Sequence, residues 1–316
     1  MKLATRLLSR VKRLGNPRML GSGAPSISPR LTTSNLANLS SAEFADLAYQ
    51  MLLNRRIDPG GQQAYVPLLD SGQMSRYQLI VTLINSTEFK APQISETLHR
   101  SRLQLVRQLP KADVIVDLGG SCAGRPEGAL VVMGYPHRFK SLTIVEPPRE
   151  ERHVIYSDHC GEYRDVIRSR SGPVNYLFTS MTNLSAIAPG TVDLVYSGES
   201  IEHVTREDAQ TTLKQVRRIL KPGGLFCLDT PNRAVTKLQC PTEYINPDHK
   251  YEYTHAELST LLKKSGFVIR EAKGLCLAEQ SVKGGTFLPD ECIRNEGIFE
   301  NIGASYLLYY ECQRTG

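Results

Sequence analysis

An α/β sheet with flanking crossover helices, preceded by a small all-α domain, is the fold that three observations predict. From Val114 onwards, short apolar runs rich in β-branched residues alternate with longer stretches of helical periodicity. The first of these runs, Val114-Ile115-Val116, passes through Asp117-Leu118 into the small residues Gly119-Gly120-Ser121-Cys122-Ala123-Gly124, as a strand does when it feeds a tight turn. Ahead of it, residues 41–92 carry helical spacing and turn residues only. The expected organisation is a basic tail and linker over 1–40, a helical module over 41–92 and an α/β domain over 93–316.

The 316 residues suffice for two domains, and 41% hydrophobic with 22% charged residues is an ordinary globular composition. The net charge of +6 is uneven: residues 1–40 hold seven cations and no acid, leaving 31 basic against 32 acidic residues in the remainder. The expected body is therefore nearly neutral, which argues against a nucleic-acid-binding face. Seven scattered cysteines without a Cys-x-x-Cys pair read as reduced thiols, hence a cytoplasmic chain. No apolar run reaches the length of a membrane span.

Residues 1–18 place Leu3, Leu7, Val11 and Leu14 at helical spacing among cations. Two readings stay open: peripheral contact at the inner face of an anionic membrane, or a solvated tail. Residues 19–40 read as a linker. Ser41 is the expected N-cap of a helix carrying Phe44, Leu47, Ala48, Met51 and Leu52. Residues 55–61 break it, a second helix covers 62–69, and Leu79, Ile80, Leu83 and Ile84 mark a third. A helix over 98–109 precedes the opening strand, and a first crossover helix is expected over 127–133. Leu142-Thr143-Ile144-Val145 is the second strand, closed by Glu146, an acid placed to accept from the hydroxyls of a ribose. Residues 174–178 form the third strand, followed by a loop in which Met181 and Thr182 would cover a base. A strand over 191–197, ending in Ser197, precedes Ile201-Glu202-His203-Val204; a helix over 209–220 stops at Lys221-Pro222-Gly223-Gly224, and a strand follows over 225–228.

Two family resemblances emerge. Leu53-Asn54-Arg55, Asp58, Gly61, Gly72 and Ser86-Thr87-Glu88-Phe89 resemble a small helical module of bacterial surface and glycan-modifying proteins with the core signature Leu-Gly-Arg-x-x-Asp-x-x-Gly, with Asn54 in place of its glycine. The resemblance implies docking to a glycosyltransferase or assembly partner; a plain helical extension is the rival reading. Asp117 to Ala123, Glu146, Asp193-Leu194-Val195 with Ile201 to Val204, and Arg218 to Gly224 together resemble the class I S-adenosylmethionine-dependent methyltransferases, as does the later run through His249, Tyr253-Thr254 and Gly266-Phe267. That implies a Rossmann-like methyltransferase sheet and S-adenosylmethionine as cofactor. The family's loop commonly carries glycines where this chain has Ser121 and Ala123, which would strain any such position needing positive φ.

The expected cofactor contacts are Asp117, Gly119, Gly120, Ser121, Glu146, Met181, Thr182 and Ser197. His203, beyond the fourth long strand, is the expected general base for a hydroxyl acceptor, with a packing role as rival. His249, Tyr251 and Tyr253 are expected to shape the acceptor pocket. Glu202 and Asp229 are two separated acids, too weak a pattern to assign a metal. The leading function is O-methylation of a sugar of a bacterial cell-surface glycan or its precursor. Methylation of a quinone or carboxylate, a nicotinamide oxidoreductase and a non-catalytic cofactor-binding scaffold are the alternatives.

Overall fold

The computed structural model describes residues 38–152, 161, 163 and 165–315, so the expected basic helix over 1–18 and nearly all of the linker lie outside the described residues. The chain divides into two compact units, 1–91 and 92–316.

In the first unit, α1 (Ser41–Leu53), α2 (Pro59–Asp70) and α3 (Arg76–Asn85) enclose a core of Phe44, Ala45, Ala48, Tyr49, Ile57, Leu79 and Leu83. The cap of α1 is Ser40 rather than the expected Ser41, because Glu43 completes a reciprocal capping box with it. α2 begins at Pro59, before the expected residue 62. Proline suits the first helical position, and Asp58 caps the helix by accepting from the Gly61 N–H at 2.8 Å. The apparent turn signal was thus partly a helix start.

The signature residues of this unit have mechanical reasons. Asn54 ends α1 in the left-handed conformation, φ 54° and ψ 33°, which glycine adopts without strain and asparagine better than most residues. Arg55 joins Asp58 at 2.8 Å and Glu88 at 2.6 Å. A Cβ on Gly61 would lie 2.7 Å from the Tyr49 hydroxyl. Asn54→Ala should cost about 1 kcal/mol while Asn54→Gly costs nothing. Urea unfolding of the full chain checks this; equal midpoints for the two variants would remove the conformational explanation.

α4 (Thr87–Val106) starts well before the expected residue 98 and ends before 109. In the second unit the described strands form one sheet in the order β3-β4-β2-β1-β5-β6-β9-β7-β8. β1 (Val114–Leu118), β2 (Ser141–Glu146), β4 (Pro173–Phe178), β5 (Val192–Gly198) and β6 (Leu220–Pro231) are parallel. β7 (Phe267–Leu277) and β9 (Ser305–Arg314) pair antiparallel, and β9 lies between β6 and β7. The two-residue strands β3 (Ile167–Arg168) and β8 (Ile298–Phe299), which the sequence did not signal, close the edges. This is the expected Rossmann-like sheet with flanking helices.

Alternation along the central strands feeds two cores. Ile115, Leu142, Ile144, Leu194 and Tyr196 enter one, while Val116, Leu118, Val145, Val195 and Phe226 enter the other. The crossover helix after β1 is a single turn, α5 (Ala129–Val132), instead of 127–133. Gly128, at φ 82°, packs where a Cβ would meet Ile144 at 2.2 Å, so the helix starts only after it. α6 (Arg206–Ile219) passes directly into β6, so Lys221 to Gly224 lie within the start of a strand rather than beyond a helix stop. The irregularity appears instead as a register shift opposite Val192 and Leu194. The remaining helices are α7 (Arg233–Gln239), α8 (His255–Lys264), α9 (Glu279–Gly284) and α10 (Pro289–Arg294).

Candidate active site

Because β1, β2, β4, β5 and β6 run parallel, the loops after them emerge at one edge of the sheet, where ligands of open α/β folds bind. That edge carries Asp117, Gly119 to Ser121, Glu146, Met181 with Thr182, Ser197 and the block from Glu199 to His203.

The loop after β1 is held from beneath. Gly119 takes φ 73° and donates its N–H to the Val145 carbonyl at 2.9 Å; a Cβ there would strike Ser200. Gly120 lies directly over Asp117, with its missing Cβ only 2.0 Å from the Asp117 Oδ2. That carboxylate is 1% exposed, and Oδ2 has no hydrogen-bond partner. Burial, with nearby Glu146 adding to it, pushes Asp117 up to about 8. Glu146 accepts the Ser121 N–H at 2.8 Å. A carboxylate has lone pairs enough to hold the loop and also accept from a ribose. Among the loop glycines and their neighbours, positive φ falls on Gly119 and Gly124; Ser121 and Ala123 avoid it, so their side chains introduce no such strain.

The other expected contacts are less direct. Ser197 is buried with its hydroxyl 2.6 Å from that of Ser200, fastening the end of β5 to the loop after it. Met181 packs half-buried against the core, and the Thr182 hydroxyl lies 2.8 Å from that of Ser180.

Beyond β5 the site becomes strongly charged. Glu199 takes φ 50°, an uncommon value for a non-glycine residue. Arg102 of α4 reaches across to Glu199 and Asp229, each at 2.7 Å, and Tyr196 donates to the other oxygen of Asp229 at 2.5 Å. Asp229 is therefore committed to this internal network. Arg102 carries no motif and was missed by sequence reasoning; of the two acids it joins, Asp229 was legible only as a separated acid and Glu199 was not singled out.

Glu202 is fully buried. Its Oε2 accepts from Thr230 at 2.9 Å, and Oε1 has no partner. Burial, then the proximity of Glu199, raises Glu202 well above the usual carboxylate range. The backbone ties it to the downstream segment, since the N–H groups of Lys250 and Tyr251 both donate to its carbonyl. This brings His249 beside His203, their rings perpendicular with centroids 4.8 Å apart. His203 Nδ1 meets Asp248 at 2.9 Å, and His249 Nδ1 meets Glu252 at 2.7 Å. Burial and the neighbouring His249 lower His203 below its ordinary value, against the pull of Asp248. Burial opposes ionisation of Glu252, but hydrogen bonds from His249, Thr236 and the Ile245 N–H outweigh it and lower its pKa.

Tyr251 donates to Glu257 at 2.6 Å under the Arg206 guanidinium, and Tyr253 is 1% exposed within the core. Of the three expected acceptor residues, the structure brings only His249 into the cluster with Glu202 and His203.

Residues 143–228, from β2 to β6, match a family model described as Methyltransferase domain, and residues 24–92 match one described as Domain of unknown function (DUF4214). A protein of Mycolicibacterium smegmatis named as a probable S-adenosylmethionine-dependent methyltransferase is 31% identical over 124 residues, covering 39% of this chain and 47% of that protein. A Mycobacterium tuberculosis protein with the same description is 32% identical over 117 residues, 37% of this chain and 41% of the relative. The ubiquinone biosynthesis O-methyltransferase of Xanthomonas euvesicatoria is 31% identical over 112 residues, 32% of this chain and 46% of that enzyme. The chain spans about half the length of the curated relatives it matches. Within the second unit, residues 143–228 thus match a methyltransferase domain, and S-adenosylmethionine is the cofactor that match implies. The loop after β1 precedes the matched segment, yet its chemistry fits that cofactor: a small-residue turn over a buried, partly unsatisfied carboxylate, with an acid at the end of β2.

Proposed function

We propose that this protein is an S-adenosylmethionine-dependent methyltransferase acting on a hydroxyl oxygen, with a sugar of a bacterial cell-surface glycan or its precursor as acceptor. The observation that carries the reading is the joint placement of Asp117, Gly120 and Glu146 at the ligand edge of the sheet. The sugar assignment draws on the resemblance of the helical module to modules of glycan-modifying proteins. The same module is proposed to dock a glycosyltransferase or assembly partner. A second reading, methylation of a quinone-precursor hydroxyl, is favoured by the relative named for ubiquinone biosynthesis.

The cofactor, when bound, supplies an electrophilic methyl group on a sulfonium. The chain's own contribution is orientation. Glu146 would accept from the ribose hydroxyls, Gly119 to Ser121 would let the cofactor approach the backbone, and Met181 with Thr182 would border the base. Ser197 supports the loop through Ser200. The acceptor would enter at the corner formed by Glu202, His203 and His249. Most of the rate advantage in such a displacement comes from positioning and water exclusion.

Isothermal titration should give saturable 1:1 binding of S-adenosylmethionine and no binding of NAD; tight NAD binding alone would overturn the reading. Labelled methyl from S-adenosylmethionine should then pass to a cell-envelope glycan extract. Label appearing only in a quinone-precursor fraction would replace the sugar by the second acceptor.

A further inference from the structure

We propose that Glu202, His203 and His249 form a binding site for one first-row divalent metal ion, which holds an acceptor oxygen at the methyl-transfer site. The acceptor half of this proposal rests on the methyltransferase reading; the metal half does not.

The three side chains come from two segments far apart in sequence, yet one ligand atom from each lies within 4.8 Å of the others. Neighbouring ligands held tetrahedrally by an ion at about 2.1 Å are about 3.4 Å apart, so closure onto a metal would draw each pair together by at most about 1.4 Å. The carboxylate is the second, independent observation. Glu202 is 0% exposed, its Oε1 has no partner, and no Lys or Arg among the described residues forms an ion pair with it. Nearby Arg102 is shared between Glu199 and Asp229. A buried carboxylate oxygen without a partner is costly, and a divalent cation would satisfy it.

The histidines are oriented as metal ligands usually are. Each turns Nδ1 to a carboxylate, His203 to Asp248 at 2.9 Å and His249 to Glu252 at 2.7 Å. A carboxylate behind an imidazole fixes the ring and its tautomer and raises the basicity of the other nitrogen. Glu252 is itself fixed by Thr236 and by the Ile245 N–H at 3.0 Å. Asp248 receives the Asn246-anchored turn, its own N–H donating to the Asn246 side chain at 3.0 Å. This outer layer extends through α7 and the loop after it, which a pair of packed histidines would not require.

Two imidazoles and one carboxylate suit Mn²⁺, Fe²⁺, Co²⁺ or Zn²⁺ better than Mg²⁺ or Ca²⁺, which favour all-oxygen surroundings. Three protein ligands leave coordination positions open, as in catalytic rather than structural sites. An acceptor hydroxyl, or two adjacent ones, would occupy them. His203 then acts as a ligand instead of the proton acceptor expected from the sequence.

The test uses the full chain after treatment with a chelator. Titration with Mn²⁺, followed by loss of the six-line paramagnetic resonance signal of the aqueous ion, should show one saturable site per chain. Co²⁺ should displace Mn²⁺ at comparable concentration, and Mg²⁺ should not. Glu202→Gln and His249→Ala should each weaken Mn²⁺ binding at least tenfold, and Asp248→Asn should weaken it by a smaller factor. Circular dichroism and binding of S-adenosylmethionine, measured on each variant, report whether it is folded. Absence of saturable binding by the unsubstituted protein, displacement by equimolar Mg²⁺, or unchanged Mn²⁺ affinity in folded Glu202→Gln would overturn the proposal. If Mn²⁺ binds and S-adenosylmethionine does not, the metal site stands and the methyltransferase reading fails; the opposite pattern separates them the other way.

Discussion

Arg102→Met will destabilise the second unit by about 3–5 kcal/mol, the cost of removing one partner from a buried ion pair. Arg102 is the cation that Asp229 and Glu199 share, each at 2.7 Å, and Asp229 is fully buried. Methionine fills much of the same volume, so the loss is chiefly electrostatic. Tyr196 would remain as a hydrogen-bond partner of Asp229, but a single neutral donor cannot replace a guanidinium. For a unit of this size the melting temperature should fall by roughly 6–20 °C. Pairing the substitution with Asp229→Asn should recover part of the loss, because the orphaned charge is then absent. A fall below about 2 °C for Arg102→Met alone would mean that the network contributes little.

Gly120→Ala will weaken S-adenosylmethionine binding by at least tenfold, alongside a comparable cost to folding. The new methyl carbon would be built 2.0 Å from the Asp117 Oδ2, far inside contact distance. Asp117 is buried at the end of a central strand and has little room to retreat. The loop must therefore lift, and overpacking of this kind costs about 1–3 kcal/mol. Lifting also moves the Ser121 N–H away from Glu146, disturbing the acid expected to read the ribose. Titration calorimetry measures the loss. Gly124→Ala is the control: its φ of 68° is strained for alanine, but no heavy atom lies within 4 Å of its Cβ position. Equal losses in both variants would show that backbone strain, not the close approach to Asp117, sets the affinity.

Much of the fold was legible because its signals are local. Short apolar runs with β-branched side chains gave the parallel strands, and the helical spacing of 209–220 gave α6, which begins three residues earlier, at Arg206. Boundaries failed where one residue type serves two purposes. Pro59 and Gly60 read as a turn but open a helix, and Pro222 and Gly223 read as a stop but lie in a strand. Asn54 is instructive in the other direction: a departure from the glycine of its module's signature proved to preserve the backbone conformation that glycine serves. Ser121 and Ala123 resolve similarly, since neither takes positive φ.

The candidate site was only half legible. Asp117 and Glu146 lie at the ends of β1 and β2 and the loop glycines follow β1 directly, so position along the chain predicts their place. His249 was singled out with two tyrosines, and no periodicity shows that it faces His203 while Tyr253 turns into the core. The contact arises from the backbone link between Glu202 and residues 250 and 251, a non-local pairing. Arg102 was invisible for the same reason, its partners lying 97 and 127 positions away.

The insertion of β9 between β6 and β7 also sets an order of events during synthesis. The parallel half of the sheet can form once β6 has emerged, but β7 has no seat beside it until Ser305 to Arg314 arrive. Until then two strand edges stand open to any passing chain, and the pairing that closes the sheet spans long sequence separations, which slows it. On the ribosome the nascent domain therefore waits, with the segment from His249 to β7 already made, for ten residues that supply no expected contact to cofactor or acceptor.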